Sequence, residues 1–258
     1  MLVRLVLIFW FAVLPKVVFA DPQPVTVEKA FSGDTLALSD GRILRLEGIK
    51  APSGQTPDLA VAAQAQLQNL AARKIVDIHD SSLDRYGRIV GQGYIMAKKD
   101  KAIWLQEEML RSGLAFVYPP TGIEFNLSAL LKAEDAARAA KIGIWSDGAY
   151  ADTFAADAGK HEGHFAFVVG NIVDVKEIKN RIYLNFGKDW HNDFTAIIAA
   201  HDRRRFLKAG TNPQSYQGKT VRVRGWVKRD RGPIMAVTFP EQIQLIGDMK
   251  RPIDGNRD

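Results

Sequence analysis

The sequence contains Gly33-Asp34-Thr35, then Leu44-Arg45-Leu46-Glu47-Gly48-Ile49-Lys50-Ala51-Pro52-Ser53, and later Asp84-Arg85-Tyr86-Gly87-Arg88. Around the first of these segments, apolar and polar residues alternate from residue 25 to residue 38, as is typical of strands. The Ser39-Asp40-Gly41-Arg42 group has turn-forming composition. A second apolar run follows it. These features together predict a β-hairpin.

The rest of the first half predicts three helices and two further strands. Good helix-forming residues, with apolar residues at helical spacing or glycine at the end, occur at residues 59–73, 104–112 and 127–141. Strands are expected at residues 74–80 and 88–96. Residues 149–162 are rich in Ala, Asp and Gly and show little periodicity, so we predict that they form a linker.

Residues 24–147 resemble the staphylococcal nuclease (thermonuclease) family in element order and in the motifs quoted above. The resemblance implies an OB-type barrel with three helices and calcium-dependent hydrolysis of phosphodiester bonds in DNA and RNA. It also implies roles for individual residues. Asp34 matches a carboxylate ligand of calcium, Arg45 and Arg88 match two phosphate-clamping arginines, and Tyr118 matches a tyrosine that contacts the substrate.

Two central positions depart from the family pattern. Lys50 stands where the family has an aspartate that binds calcium, and Ser53 stands where it has the glutamate that activates water. Calcium prefers hard oxygen ligands, and a serine cannot act as a carboxylate base. Phe116 also replaces a second tyrosine. The sequence therefore predicts that Asp34 is the remnant of a metal site and that no cofactor is needed, with calcium expected only if the family site still functions.

Other groups could compensate for these two changes. Glu47 lies on the same strand face as Arg45, although we expect it to be a solvated strand residue. Asp58 is either a replacement carboxylate or a helix N-cap. A third alternative is that the Lys50 ammonium substitutes electrostatically for the metal and binds phosphate without generating hydroxide.

The second half predicts another small β-domain. Strands are expected at residues 165–176, 182–186, 194–200, 220–228 and 234–239, with a short helix at 203–208. Three strands, a helix and two strands is the order of a five-stranded OB barrel. The fold class is therefore β-rich α+β, a staphylococcal-nuclease-like OB barrel followed by a second small OB-like β-barrel. His161-Glu162-Gly163-His164 lacks further ligands and does not predict a zinc site.

One strand of this second domain combines basic and aromatic side chains. Period-two alternation over residues 221–228 places Arg222, Arg224, Trp226 and Lys228 on one face. Such a face can bind single-stranded nucleic acid through phosphate contacts and base stacking. The alternative is an ordinary solvated sheet face.

The beginning of the chain and its charge suggest location and partners. Residues 1–20 have a basic start, an apolar run and a small-residue cleavage site, which predict a signal peptide and export to the periplasm or the medium. An uncleaved anchor is the alternative, and no later segment is expected to span a membrane.

Residues 161–258 contain 17 Lys/Arg and 11 Asp/Glu, so a polyanion is the expected partner of this half. The absence of cysteine excludes disulfides.

We therefore predict a signal peptide (1–20), a nuclease-like domain (21–148), a linker (149–162), an OB-like domain (163–247) and a tail (248–258). The predicted function is binding of nucleic acid or another polyanion by a nuclease fold that has lost calcium-dependent hydrolysis. Two alternatives stay open. The protein could be a phosphodiesterase with a rearranged site that uses Asp34, Arg45 and Arg88, or a module of the envelope that binds protein partners.

Overall fold

The computed structural model describes residues 23–54, 56–96, 101–118, 127–146, 148–189 and 191–247. The predicted signal peptide and the predicted tail lie outside the described residues. The described chain forms two β-sheet units, each with its own buried apolar cluster. No helix among these described ranges is long and apolar enough to cross a membrane.

The N-terminal unit contains eight strands and three α-helices within the described residues. The strands are β1 (Val25–Ser32), β2 (Thr35–Leu38), β3 (Ile43–Leu46), β4 (Ile49–Lys50), β5 (Ile75–Leu83), β6 (Ile89–Met96), β7 (Ala102–Trp104) and β8 (Phe116–Val117). The helices are α1 (Pro57–Ala71), α2 (Leu105–Arg111) and α3 (Leu127–Ala139). The predicted hairpin, strands and helices of this half are all confirmed, within a few residues at their ends.

The N-terminal sheet curls until two of its strands meet. The strand order is β3-β2-β1-β5-β6-β7, and β3 also pairs in parallel with β6 through Leu44 and Ile89. Helix α1 packs on this sheet because Ala63, Leu67 and Ala71, spaced four residues apart, form its buried stripe. The loop before α1 and the short β4–β8 pair then lie at one side of the sheet, where the candidate site is found.

The C-terminal unit is a second β-sheet with one described α-helix. Its strands are β9 (Asp152–Phe154), β10 (Phe165–Asn171), β11 (Asp174–Ile178), β12 (Arg181–Asn185), β13 (Thr195–Ile198), β14 (Thr220–Asp230), β15 (Gly232–Ala236) and β16 (Ile243–Leu245), and its helix is α4 (Arg203–Lys208). The order is β11-β12-β13-β15-β14-β10-β9, and β16 pairs with β14. The single strand predicted at 165–176 is interrupted between β10 and β11, around Ile172 and Val173.

The segment predicted as a linker is structured. Within residues 149–162, β9 pairs in parallel with β10, and a 3-10 helix (Ala155–His161) buries Ala158 in the C-terminal core. A three-residue strand has too few positions to show periodicity, so the sequence gives no sign of it. The pairing assigns this segment to the C-terminal unit, and the exact domain limits stay predictions.

The two units pack against each other through a third apolar cluster. Phe116, Ile144 and Trp145 of the N-terminal unit contact Phe167 of β10. The Arg138 guanidinium of α3 lies 3.9 Å from the Trp145 ring centroid and 4.5 Å from that of Phe167. Burial, together with the nearby Arg222, lowers the pKa of Arg138 to about 10, which leaves it charged at neutral pH. The interface therefore combines aromatic packing with buried charge.

Candidate functional site

The Gly33-Asp34-Thr35 turn connects β1 to β2 beneath helix α1. A Cβ atom on Gly33 would lie 2.5 Å from the Cβ of Ala63 and 2.8 Å from that of Ala51. Glycine is therefore required for the turn to approach the helix and the strand β4 this closely. The approach holds Asp34, which is 8% exposed, against the chain segment that follows β4.

Both carboxylate oxygens of Asp34 accept hydrogen bonds. Ser32 Oγ and Thr35 Oγ1 donate to Oδ1 at 2.8 and 2.9 Å. The Ala51 backbone N–H donates to Oδ2 at 3.1 Å, and Arg45 Nη2 lies 3.4 Å from the same oxygen. Four donors thus surround one carboxylate and fix its position. Asp34 is thus an orienting group at the centre of a hydrogen-bond network.

Each of the two predicted phosphate-clamping arginines is held by an aspartate. Arg45 Nη2 contacts Asp34 and also donates to the Ile49 carbonyl at 3.0 Å. Arg88 donates from Nε to Asp84 Oδ2 at 2.8 Å, and its Nη2 lies 2.8 Å from the same oxygen. Burial favours the neutral acid, but hydrogen bonds from the backbone and side chain of Arg88 outweigh it and lower the pKa of Asp84. Both guanidinium groups are therefore fixed in orientation.

The two positions that depart from the family pattern lie on β4 and in the loop after it. Lys50 is half-buried, pairs with Phe116 across the β4–β8 ladder, and has its Nζ 5.7 Å from the Tyr118 ring centroid. Ser53 is exposed in the loop that leads to α1. Lys50 makes no ion pair with any described residue.

The donor set around Asp34 does not fit a calcium ion. Calcium takes six to eight oxygen ligands, commonly including several carboxylates. No three His, Cys, Asp or Glu side chains within the described ranges come together to hold a metal ion. Both oxygens of Asp34 face N–H and O–H donors. We therefore assign no chemical step to calcium in this chain.

Glu47 and Asp58, the two carboxylates considered as replacements, do not have the structural roles expected of them. Glu47 is 2% exposed, so the expectation of a solvated strand residue is wrong. The chain turns at Gly48, directly after Glu47, and this end of β3 is enclosed by neighbouring chain. Asp58 is not the N-cap of α1, because Pro57 takes the first helical position and Thr56 precedes it. Asp58 lies in the exposed first turn instead.

The predicted basic face of β14 divides into a buried part and an exposed part. Arg224 is 1% exposed, with Nη1 2.9 Å from Glu134 Oε2 of α3 and Nη2 2.6 Å from Gln244 Oε1. Arg222 donates to both oxygens of Asp152 at 2.7 and 2.6 Å. The prediction that these two arginines face solvent to bind phosphate is wrong, because α3 and β9 cover this part of the strand.

The C-terminal end of β14 is not covered by α3 and β9. Trp226 is 43% exposed, and its Nε1 donates to Tyr118 Oη at 3.1 Å. Lys228 is exposed two residues further along. Tyr118, predicted to contact substrate, therefore joins the two units and lies beside both Trp226 and Lys50. Three of the predicted residues of the two halves thus meet in one region.

A cleft of about 630 Å³ opens between the two units at this point. One wall is the segment that contains Lys50 and Ser53, and the opposite wall comes from the C-terminal unit. Its described lining includes Lys50, Ser53, His161, His164, Phe165 and Trp226. Asp34, Arg45 and Arg88 are not among the lining residues. From the sequence, the two histidines suggest at most a zinc site and Phe165 carries no signal, because nothing in the sequence shows that residues 161–165 face β4.

Comparison with known proteins identifies the family. The family model described as staphylococcal nuclease homologue matches residues 43–147. A protein of Escherichia coli named "Uncharacterized endonuclease" is 31% identical over 145 residues, which cover 52% of this chain and 89% of that protein. The corresponding protein of Escherichia coli O157:H7 is 30% identical over the same length. The chain therefore belongs to the staphylococcal nuclease homologue family.

A plant relative matches a smaller part of its own length. The "Uncharacterized 38.1 kDa protein" of Capnoides sempervirens is 36% identical over 103 residues, which cover 40% of this chain and 28% of that protein. The family model ends at residue 147, before β9 begins. The C-terminal unit and the cleft that it forms are thus not described by the family match.

Proposed function

We propose that this protein is an exported nucleic-acid-binding member of the staphylococcal nuclease family in which calcium-dependent phosphodiester hydrolysis has been lost. The observation that carries the proposal is the environment of Asp34. Its carboxylate is surrounded by four donors, and the neighbouring family ligand position holds the cation Lys50. A bound divalent cation needs the opposite arrangement, with several carboxylates and no ammonium group.

The binding part of the proposal rests on Arg45 and Arg88. Guanidinium groups bind phosphate through paired N–H donors, and both of these are already oriented by carboxylates. Arg88 keeps a side-chain exposure of 35%, so a phosphate can approach it from solvent. Another polyanion whose phosphate groups can contact Arg45 and Arg88 would bind by the same chemistry.

We further propose that both units are OB-type barrels. In the first unit, the pairing of β3 with both β2 and β6 supports closure of five strands. In the second, β10 and β11 act as one interrupted strand, because β10 pairs with β14 and β11 pairs with β12. Helix α4 lies between β13 and β14, where an OB fold has its helix. OB folds commonly bind oligonucleotides. Export rests on the signal pattern of residues 1–20 alone.

A second candidate function is an active endonuclease with a rearranged site. The names of the two bacterial relatives favour it. Asp34, Arg45 and Arg88 are all present, and such a site would need another group to activate water. The two functions differ in one observable property, which is turnover of the bound strand.

The binding proposal is tested by fluorescence anisotropy of a labelled single-stranded oligonucleotide, with chelator and with calcium. We expect equal affinity in both buffers. Arg45→Ala and Arg88→Ala should each weaken binding about tenfold, since each removes a charge-assisted contact to phosphate. Arg42→Ala is the matched control, because Arg42 also pairs with an aspartate, Asp40, but lies on the exposed β2–β3 turn. Binding that requires calcium, or that neither Arg45→Ala nor Arg88→Ala weakens, would contradict the proposal.

A further inference from the structure

We propose that the cleft between the two units binds one nucleotide of a single-stranded nucleic acid, with the phosphate at Lys50 and the base against Trp226. The inference rests on the proposed function and names the part of the molecule that recognises a base. It assigns a binding role to residues beyond the family match, including Trp226, His161 and His164.

The charge of the cleft favours an anion. Its lining contains two lysines and two histidines, and none of the described lining residues is acidic. Lys160 pairs with Asp157 at 2.9 Å, whereas Lys50 has no carboxylate partner among the described residues. Lys50 is also half-buried, so a phosphate that binds it is partly shielded from water, which strengthens the attraction. Lys50 is therefore the principal phosphate group of the cleft.

The histidines add polar ring atoms on the opposite wall. His164 Nδ1 lies 2.9 Å from the Glu162 carbonyl oxygen, which can only accept a hydrogen bond. Nδ1 therefore carries a proton, and Nε2, which is a hydrogen-bond acceptor in the neutral ring, is the ring atom left for a ligand. His161 Nε2 lies 3.0 Å from Thr153 Oγ1, which fixes its ring at the side of the cleft. These two side chains limit the positions that a ligand can occupy.

Aromatic rings form the remaining surface. Phe116 and Phe167 are buried and serve packing, but Trp226 is 43% exposed and Phe165 is half-buried. The rings of Phe165 and Trp226 meet edge to face at a centroid distance of 6.3 Å, and the Trp226 N–H donates a hydrogen bond to Tyr118. Trp226 is therefore fixed in orientation while much of its surface stays open. Exposed aromatic rings beside cationic groups are the general means of binding single-stranded nucleic acid.

The size and rigidity of the cleft fit a small ligand. A volume of about 630 Å³ lies within the usual range of ligand pockets. Both walls are held by the buried pair of Arg224 and Glu134 and by the aromatic cluster behind the cleft. The pocket is thus formed before a ligand binds. Phosphate binding in this pocket also explains why a lysine is useful at position 50, where the family has a metal ligand.

The test is calorimetric titration of the full-length mature protein with thymidine 5′-monophosphate, thymidine and inorganic phosphate, and with an oligonucleotide that does or does not carry a 5′-phosphate. Comparison of thymidine 5′-monophosphate with thymidine separates recognition of the phosphate from recognition of the base. Comparison of the two oligonucleotides shows whether the cleft binds a free nucleotide or the phosphorylated end of a strand. Lys50→Gln should weaken the monophosphate about tenfold and leave thymidine nearly unchanged, because only the phosphate contact is lost.

Trp226→Leu should weaken both thymidine and its monophosphate about 5- to 150-fold, the effect expected for loss of one stacked base. Trp226→Phe keeps an aromatic ring without the N–H and should retain most of the affinity, which distinguishes stacking from a structural role. Lys219→Gln, an exposed lysine before β14 and outside the cleft, is the charge-matched control. Thermal unfolding checks that each variant folds. If Trp226→Leu does not fold, Lys50→Gln and Trp226→Phe still decide the outcome.

Monophosphate binding that Lys50→Gln leaves unchanged, or no binding of any nucleotide, overturns the cleft proposal. If the oligonucleotide still binds and depends on Arg45 and Arg88, the proposed function stands without the cleft. If no nucleic acid binds, both proposals fail, and the alternative of a protein-binding module takes their place.

Discussion

At the scale of single residues, Lys50 places a positive charge at the position where the family has a calcium-binding carboxylate. A pair of unit charges 4 Å apart is worth about 4 kcal/mol at an effective dielectric constant near 20. Reversing one of the two charges therefore converts attraction for a dication into repulsion of similar size. Ser53 removes the base as well, and loss of a general base alone lowers rates by about 10²- to 10⁴-fold.

This argument predicts how catalysis could be restored. Lys50→Asp supplies a metal ligand without a base, and Ser53→Glu supplies a base beside a site that still repels the cation. We expect neither single variant to cleave DNA measurably, and the double variant to exceed the sum of both, because the two groups act together. The measurement is cleavage of a labelled oligonucleotide in calcium. An additive double variant would show that these positions are not coupled.

The sequence predicts the local structure around these residues because the decisive information is local, whereas their roles stay predictions. Asp34, Lys50 and Ser53 lie in short segments whose turns are set by nearby glycine and proline, as the crowding at Gly33 shows. The surroundings of Glu47 were not predictable in this way. Its burial depends on the chain that encloses the end of β3, and strand alternation alone indicates a face and not what covers that face.

At the scale of elements, β14 changes its role along its length. Alternation correctly places Arg222, Arg224 and Trp226 on one face, but Trp226 is the one of the three that is exposed, whereas Arg222 is half-buried and Arg224 is buried. The partner of Arg224 is Glu134, which is 90 residues away in the chain. A contact of this separation leaves no periodic signal in either segment. The basic appearance of the strand in the sequence therefore overstates its capacity to bind phosphate.

The buried pair of Glu134 and Arg224 predicts a measurable effect on stability. Removing one partner should destabilise the protein by about 3–5 kcal/mol, because the other charge stays buried without compensation. We expect this for Glu134→Leu and for Arg224→Met, whereas the double variant should lose less than the sum. Chemical denaturation measures the free energy of unfolding. Arg203→Met is the control, since its pair with Glu177 is exposed and should cost at most about 1 kcal/mol.

Near-additive losses in the double variant, or losses below about 1 kcal/mol in both single variants, would contradict this account of the interface. The Val117 N–H also donates to Glu134 Oε2 at 2.6 Å, so Glu134→Gln is a useful third variant. It keeps an acceptor for that N–H while it removes the charge. Its cost should therefore be smaller than that of Glu134→Leu.

At the scale of the whole molecule, two β-sheet units enclose a cleft that neither forms alone. The sequence predicts both units, because strand and helix periodicity repeat clearly within each of them. It does not predict their packing, which depends on Phe116, Phe167 and Trp145 meeting across the interface. The family match likewise covers only the first unit. The nucleotide binding that we propose at the cleft thus needs both units of the chain.

The central claim is that this fold binds the phosphodiester backbone without calcium-dependent hydrolysis. The most direct measurement is cleavage of labelled single-stranded DNA by the mature wild-type protein, in calcium and in chelator, beside an identical preparation of Asp34→Ala. The account predicts no calcium-stimulated cleavage above the level of the Asp34→Ala sample. Calcium-stimulated cleavage by the wild-type protein that Asp34→Ala abolishes would contradict it and establish an active nuclease with a rearranged site.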